Sequence, residues 1–318
     1  MKTPLTLISF FTIYLLFAQD AEEAIPYRTK IAEFSSETIM DYRTSTSSEQ
    51  FGGAINEIER DRLYKAKLGI PLVIKKDKIF GLQLKYYQQK FLLDFEENPT
   101  DYDLYVHLNS KTFTNAGIRT FYKQNLKDGS ELKLVAGAEL KSDQFQWNKN
   151  SSKYFVSAVQ TWKKSEATEM GGGLYLNWTM GLATAYPLFL LKHDLSPRWT
   201  LDLMLPKQAN MRYRINNHNF LIARAQLTGW RYNLTNALQS TQGDLTLRKS
   251  DLQLSLSWEK EIHDWLWFGI DVGYNKNIQY FLVNPGERSR YSLIDINPRD
   301  AIFTKFSIFM VPPKKFYK

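Results

Sequence analysis

Alternation with a period of two constrains this chain more than any other feature. Between positions 252 and 259, Leu252, Leu254, Leu256 and Trp258 share one parity, and Gln253, Ser255, Ser257 and Glu259 share the other. After the short stretch Lys260–Asp264, Leu266, Phe268, Ile270, Val272 and Tyr274 alternate with Gly269, Asp271 and Gly273. Successive side chains of a strand point to opposite faces, so each segment carries one apolar wall and one polar or small wall. A helix would space its apolar residues by three and four, and none of these segments fits that spacing well.

The pattern recurs. Trp199, Leu201, Leu203 and Leu205 alternate with Thr200, Asp202 and Met204, and Met211, Tyr213 and Ile215 alternate with Arg212, Arg214 and Asn216. Leu221, Ala223, Ala225 and Leu227 alternate with Arg224, Gln226 and Thr228. Upstream, Phe80, Leu82, Leu84 and Tyr86 alternate with Gly81, Gln83, Lys85 and Tyr87, and Leu132, Leu134, Ala136, Ala138 and Leu140 alternate with Lys133, Gly137 and Glu139. Ile302, Phe306, Ile308 and Met310 close the series. Turn signals such as Lys127-Asp128-Gly129-Ser130 and Asn284-Pro285-Gly286 separate the runs, which number about twelve, within a range of ten to fourteen. Residues 31–43 read as a first strand or an ordered arm. Short turns are expected on one side, and longer loops at 93–101, 142–152, 233–244 and 284–299 on the other, the asymmetry of bacterial barrels.

A soluble β-sandwich also alternates, so two further features decide between the folds. The run 265–282 is nearly continuous, and tilted membrane-spanning strands need about 9–11 residues where ordinary strands have about 5–6. Aromatics also cluster at segment ends: Tyr86-Tyr87, Trp147, Tyr154, Trp162, Trp178, Trp199, Trp230, Trp258, Trp265 and Tyr280, with Trp267 beside a turn. Lipid head groups would lie at that level. The sequence therefore predicts an all-β fold, a transmembrane up-and-down antiparallel β-barrel in one domain. Met170–Leu191 lacks charge, but Gly171-Gly172-Gly173, Gly181 and Pro187 make it a poor helix, and the three glycines suit a bend in a curved wall.

The chain opens with Met1-Lys2, an apolar run from Leu5 to Phe17, then Ala18-Gln19-Asp20. This is the pattern of a cleaved signal peptide. The expected organisation is a signal peptide at 1–18, an arm at 19–30, a barrel at 31–311 and a tail at 312–318. Proline cannot donate to a ladder, so Pro312-Pro313 should stop the last strand by Val311. Cysteine is absent, which removes a lipoprotein anchor and leaves stability to something other than disulfides. The expected address is the outer membrane of a Gram-negative cell. The expected partners are its lipid, lipopolysaccharide and the barrel-assembly machinery, for a monomer. The net charge of +8 is spread along the chain, and export removes nucleic acid as a partner.

Leu68-Gly69-Ile70-Pro71-Leu72, Ile79-Phe80-Gly81-Leu82, Tyr186-Pro187-Leu188 and Trp199–Pro206 resemble a family of bacterial outer-membrane barrels catalogued as domain of unknown function 6268. The resemblance covers roughly Ile31 to Met310. It implies a barrel and an outer-membrane address, and it brings no activity and no catalytic residues.

The chemistry the chain can carry is limited. A hydrolase acting on outer-membrane lipid would need His, Ser and an Asn or Glu together on the outer wall. The four histidines are His107, His193, His218 and His263. As a strand, His107-Leu108-Asn109-Ser110 would put His and Ser on opposite faces. Four scattered histidines and no cysteine form no zinc site. The acidic run Asp94, Glu96, Glu97, Asp101 and Asp103 could hold calcium but reads first as a solvated loop, and no phosphate loop follows Gly171-Gly172-Gly173. No cofactor is expected. The polar parity does yield a candidate site: Lys85, Lys133, Glu139, Asp202, Arg212, Arg214, Arg224, Glu259 and Asp271 should face the lumen as a network of paired charges, with a passage for small anions second. The expected role is structural, narrow-channel or surface-binding. Its rivals are a lipid hydrolase and a secreted β-sandwich binding protein.

Overall fold

Each alternating run becomes a wall strand, because in a closed ring every strand has a neighbour on both sides and its two side-chain rows face two different media. The computed structural model describes residues 28–96, 100–238 and 243–314. The first eight strands are β1 (Ala32–Ser47), β2 (Ile55–Ile74), β3 (Lys78–Leu93), β4 (Thr112–Asn125), β5 (Glu131–Ser142), β6 (Ser152–Ser165), β7 (Thr168–Thr179) and β8 (Leu182–Asp194). The rest are β9 (Trp199–Leu205), β10 (Gln208–Asn216), β11 (Asn219–Thr235), β12 (Asp244–His263), β13 (Leu266–Val283), β14 (Ile294–Pro298) and β15 (Ala301–Met310). Each pairs antiparallel with the next, from β1 to β13.

The first and last strands close the ring. Ala32–Ile39 of β1 lie against Met310–Phe303 of β15, and Thr44–Ser47 lie against Pro298–Asp295 of β14. β14 and β15 occupy one wall position between β1 and β13, broken at Arg299-Asp300. Arg299 N–H still reaches the carbonyl of Arg43 at 2.8 Å, and the Asp300 carboxylate takes the Tyr274 hydroxyl at 2.6 Å. The wall thus has fourteen positions rather than about twelve. Strands β2, β4, β6 and the β7–β8 hairpin complete the count. The uncharged segment 170–191 is that hairpin, turning on Met180-Gly181. The sandwich alternative falls with this closure.

The end carrying both ends of the described chain, Arg28 and Lys314, has connections of two to five residues, at 75–77, 126–130, 166–167, 195–198, 217–218 and 264–265. The opposite end, here called the mouth, carries the long connections at 48–54, 94–111, 143–151, 236–243 and 284–293, with tight turns at 180–181 and 206–207. The expected long loops all open at the mouth, although strand runs further into 233–235 and 294–298 than the polar composition suggests.

In the middle of the wall the apolar parity faces out. Leu256 is 59% exposed and Phe306 58%, whereas Ser257 and Glu259 on the opposite face are buried. Aromatic rings mark both edges of this belt. Trp162, Trp265 and the pairs Trp199–Tyr213 and Trp258–Phe268 lie toward the termini, with Tyr154–Trp178 and Trp147 toward the mouth. Trp230, Trp267, Tyr280 and Tyr87 lie elsewhere than expected. All four turn inward, Trp230 against Phe91 and the buried Tyr280, Trp267 against Phe220 and Phe309, and Tyr87 beneath Lys85.

Toward the mouth the pattern inverts. On β12 the inward positions pass from Glu259, Ser257 and Asp251 to buried Leu247 and Leu245. On β3, Tyr86 faces out, but beyond it Gln88 and Lys90 are exposed while Gln89, Phe91 and Leu93 are buried. In β1 the inward parity shifts from Ser35, Glu37 and Ile39 to Tyr42, Thr44 and Thr46. A strand that leaves hydrocarbon for water must exchange its faces in this way.

If the belt meets lipid, Leu256→Arg should lower the unfolding free energy in lipid vesicles by about 2–4 kcal/mol, the cost of arginine near a bilayer midplane. Denaturant titration followed by the heat-modifiable gel shift checks this, and a change near zero would place Leu256 away from hydrocarbon.

Candidate functional site

The interior is built in three tiers. In the mouth, the connection 94–111 folds inward and forms the one helix longer than a single turn among the described residues, α1 (Asp103–Ser110). Its Leu104, Tyr105 and Leu108 are buried against Phe91, Phe113, Tyr232, Leu234, Leu247 and neighbouring inner-wall residues. Phe113 meets Phe91 edge-on at 5.6 Å and Tyr232 at 5.2 Å. Each such side chain contributes about 1.5–3 kcal/mol of burial, so the helix is a docked plug rather than a loose loop. Polar clips fix it. Asn109 Oδ1 accepts the Leu93 N–H at 3.0 Å, and His107 Nε2 lies 2.8 Å from Asp143 Oδ2. The Asp143 carboxylate also accepts the Thr235 backbone N–H at 3.1 Å and its hydroxyl at 3.2 Å. Burial pushes Asp143 up, but the hydrogen bonds from His107 and Thr235 outweigh it and hold the group below the usual carboxylate value. Burial pushes the Tyr105 phenol up to about 12. The residues 107–110 are therefore helical rather than a strand. His107 points at Asp143 inside the mouth, and Ser110 Oγ donates to the His107 carbonyl rather than to its ring.

The middle tier holds two groups of charges. On the β1, β2, β12, β13 and β15 side, acids and bases are nearly matched. Glu33 pairs with Lys67 at 2.9 Å and Lys305 at 3.6 Å, and Glu37 with Lys65 at 2.5 Å. Asp271 takes Lys305 at 3.2 Å and Arg224 at 3.8 Å, while Glu259 takes Lys30 at 2.8 Å. On the β3–β6 side they are not matched. One fully buried carboxylate, Glu139, faces Arg119 at 2.8 Å, Lys85 at 2.9 Å, Lys141 at 3.4 Å and Lys153 at 4.0 Å. Lys207, from the β9–β10 turn, is exposed beside this wall, and its carbonyl accepts the Leu227 N–H at 2.9 Å.

The third tier floors the barrel at the termini. Phe220, Ile222, Trp267, Phe309 and Val311 form an apolar cluster. Arg28 crosses it, giving hydrogen bonds to the carbonyls of Asp264 at 2.5 Å and Pro312 at 3.0 Å and an ion pair to Glu261 at 3.3 Å. Strand β15 stops at Met310, one residue before Val311 and the prolines.

Of the nine residues the alternation singled out, Lys85 and Glu139 come together in the basic group, and Arg224 and Asp271 in the matched one. Arg212 pairs with Asp202 at 3.4 Å toward the β9–β10 side, and Glu259 pairs with Lys30. Lys133 stands apart at the rim on Glu131 at 2.7 Å, and Arg214 donates to the Pro197 carbonyl. Sequence reading missed Glu33, Glu37, Lys65, Lys67, Arg119, Lys141, Lys153 and Lys305. Signals existed for two of these groups: Lys65 and Lys67 alternate with Tyr64, Ala66 and Leu68, and Arg119 sits between Ile118 and Thr120 on the parity of Gly117. Among the described residues there is no group of three or more His, Asp or Glu able to hold a metal; Asp94, Glu96, Asp101 and Asp103 lie on the mouth loop, and Glu97 lies outside those residues.

The wall beside the basic group has a seam. Strand β11 follows β10 only from Asn219 to Gln226, with one more bond from Leu227 N–H to the Lys207 carbonyl. It next meets the ring across β6–β10, where Asn233 pairs with Ser142 of β5 and accepts the Asp143 N–H at 3.1 Å. Between these points, Thr228–Tyr232 have no ladder partner on that side among the described residues. Facing them, β8 pairs with β9 only from Phe189 toward the termini.

A family model described as "Domain of unknown function (DUF6268)" matches residues 52–285. The chain belongs to that family. No curated protein matches. Among solved structures, the chain is similar to the COG4313 outer membrane channel from Pseudomonas putida F1, with 8% identity and a TM-score of 0.43 over 93% of this chain and 100% of that one. It is also similar to the deltaS2 mutant of the monoaromatic hydrocarbon channel TodX of Pseudomonas putida, at 9% identity and a TM-score of 0.41 over 89% and 91%. The translocator domain of autotransporter NalP from Neisseria meningitidis matches at 9% and 0.31 over 96% and 95%. The family carries no described activity, so chemistry has to be read from the tiers themselves.

Glu139→Gln would leave its surrounding cations without their shared partner, which should cost roughly 3–5 kcal/mol; Glu139→Gln with Lys85→Gln should recover part of that loss. Urea midpoints read by the gel shift test both. The plug should depend on acid. Asp143 is held below its unfolded value, so its contribution is complete above about pH 4 and fades as pH falls through the lower folded value. Amide exchange over residues 103–110 should therefore stay slow down to about pH 4 and quicken below it, and Asp143→Asn should abolish the transition.

Proposed function

We propose that this protein is a narrow, gated solute passage of the outer membrane, shut in the conformation described here. The observation that carries the reading is α1, a helix on the longest mouth connection that lies inside the ring and is held by apolar contacts and a His107–Asp143–Thr235 clip. A plug of this kind, attached only by a loop, blocks the axis without belonging to the wall. The apolar belt with aromatic edges supports a membrane address, and the inverted faces at the mouth support an aqueous exterior on that side.

A purely structural barrel would be expected to neutralise its interior, as the β1–β15 side does. The Glu139 group instead leaves positive charge over, which fits a route that attracts small anions better than it fits an inert filling. The lipid-hydrolase reading gains no support, since His107 is turned into the mouth and away from the lipid-facing wall.

Planar-bilayer recordings test the proposal. The intact protein should be silent or nearly so, and a variant with residues 100–110 replaced by a short Gly-Ser linker should conduct, with anions carrying most of the current. A linker variant that keeps its heat-modifiable band yet stays silent would overturn it.

A further inference from the structure

We propose that the inner wall of β4–β8 is a binding site for small aromatic carboxylates. The site deepens the reading of the barrel as a solute passage, although binding itself does not require that anything be carried across.

Three independent features meet there. The first is charge. The Glu139 carboxylate must serve Arg119, Lys85, Lys141 and Lys153 together, and Lys153 is left at 4.0 Å, the far limit of an ion pair. Lys85 and Lys141 are buried, and Arg119 and Lys153 half-buried, around that one carboxylate, so the excess of positive charge favours an anion beside them. The second is an accessible donor: Arg119 gives Nη2 to Glu139 at 2.8 Å, and its side chain remains 30% exposed. A half-exposed guanidinium is suited to a carboxylate, with which it makes charge-assisted hydrogen bonds.

The third is a run of rings. Phe155 on β6 stacks on Tyr175 on β7 at 5.8 Å and 19°, and Tyr175 stacks on Tyr186 on β8 at 4.9 Å and 28°. These adjacent strands therefore present a continuous aromatic surface to the interior. The charged groups sit at one end of it: Arg119 lies 5.1 Å from the Phe155 ring centre, and Lys153 lies 5.0 Å from Phe155 and 6.0 Å from Tyr175. A carboxylate on the cations would leave its flat apolar body over the rings, where offset stacking adds to burial. Inorganic phosphate would use the charges alone, and an uncharged arene the rings alone. The unpaired stretch Thr228–Tyr232, beside Lys207, is the nearest interruption of the wall.

The test uses the full-length barrel refolded in detergent, with calorimetric titration of benzoate, acetate, inorganic phosphate and toluene. Benzoate should bind more tightly than the other three. Arg119→Gln and Lys153→Gln should each weaken benzoate about tenfold or more, the loss of one charge-assisted contact, and Tyr175→Leu should weaken benzoate while leaving acetate unchanged. Lys65→Gln, in the matched group, should leave benzoate binding as it is. Absent benzoate binding, equal affinity for benzoate and acetate, or tighter binding of phosphate would overturn the assignment. Benzoate binding by a barrel whose plug-less variant is silent would keep the site and remove the passage. Conduction by that variant without benzoate binding would do the reverse.

Discussion

A backbone N–H or C=O on an open sheet edge has no partner, and closing the ring is the restriction that governs the molecule. A wall strand is paired on both edges only if the first strand finds the last. Once the ring is closed, the two rows of side chains on each strand are assigned to two media with no further choice. The apolar belt, the charged interior and the aromatic edges all follow from that assignment. Where β11 parts from β10, the restriction is relaxed, and it is relaxed toward the mouth, where the inverted faces of β3 and β12 mark the approach to water.

Filling the ring is a separate physical problem from closing it. Fourteen wall positions enclose more space than one layer of inward side chains can occupy, and the chain fills that space differently at each height. Apolar side chains and a helix occupy the mouth, ion pairs the middle, and an arginine over aromatic rings the floor. Among the described residues, the middle tier leaves positive charge in excess next to the stacked rings of β6–β8. The distribution concentrates any capacity for recognition on one side of the barrel.

The alternation of residues such as Leu252–Glu259 made the wall legible from sequence, because a period of two survives in any sheet with two different faces. The prolines after Met310 made the end of the last strand legible in the same way. Strand number was harder, since β4 and the β7–β8 hairpin carry small or glycine residues that blur the contrast between faces. The plug was invisible. Asp103–Ser110 is two turns of helix with mixed composition, and nothing local tells a loop whether it will stay outside a ring or fold into it. Trp230 and Trp267 were misplaced because an aromatic near a strand end suits a lipid interface and a buried cluster equally well. Lys85 and Glu139 could be assigned to the interior by parity, but their company of Arg119, Lys141 and Lys153 depends on cross-strand register, which one sequence does not display.

Arg28 and Lys314 flank the first and last strands, and both reach Glu261 and Asp264 on the β12–β13 turn. The Lys314 contacts can form once β15 lies on β13, but those of Arg28 cannot exist until β1 lies beside β15, so they arrive after the step that joins the two edges. Interactions formed so late do little to hasten assembly, and act instead by slowing its reversal. The crossing at the floor therefore works as a fastener for the joint between β1 and β15, tying Arg28 to the far end of the wall.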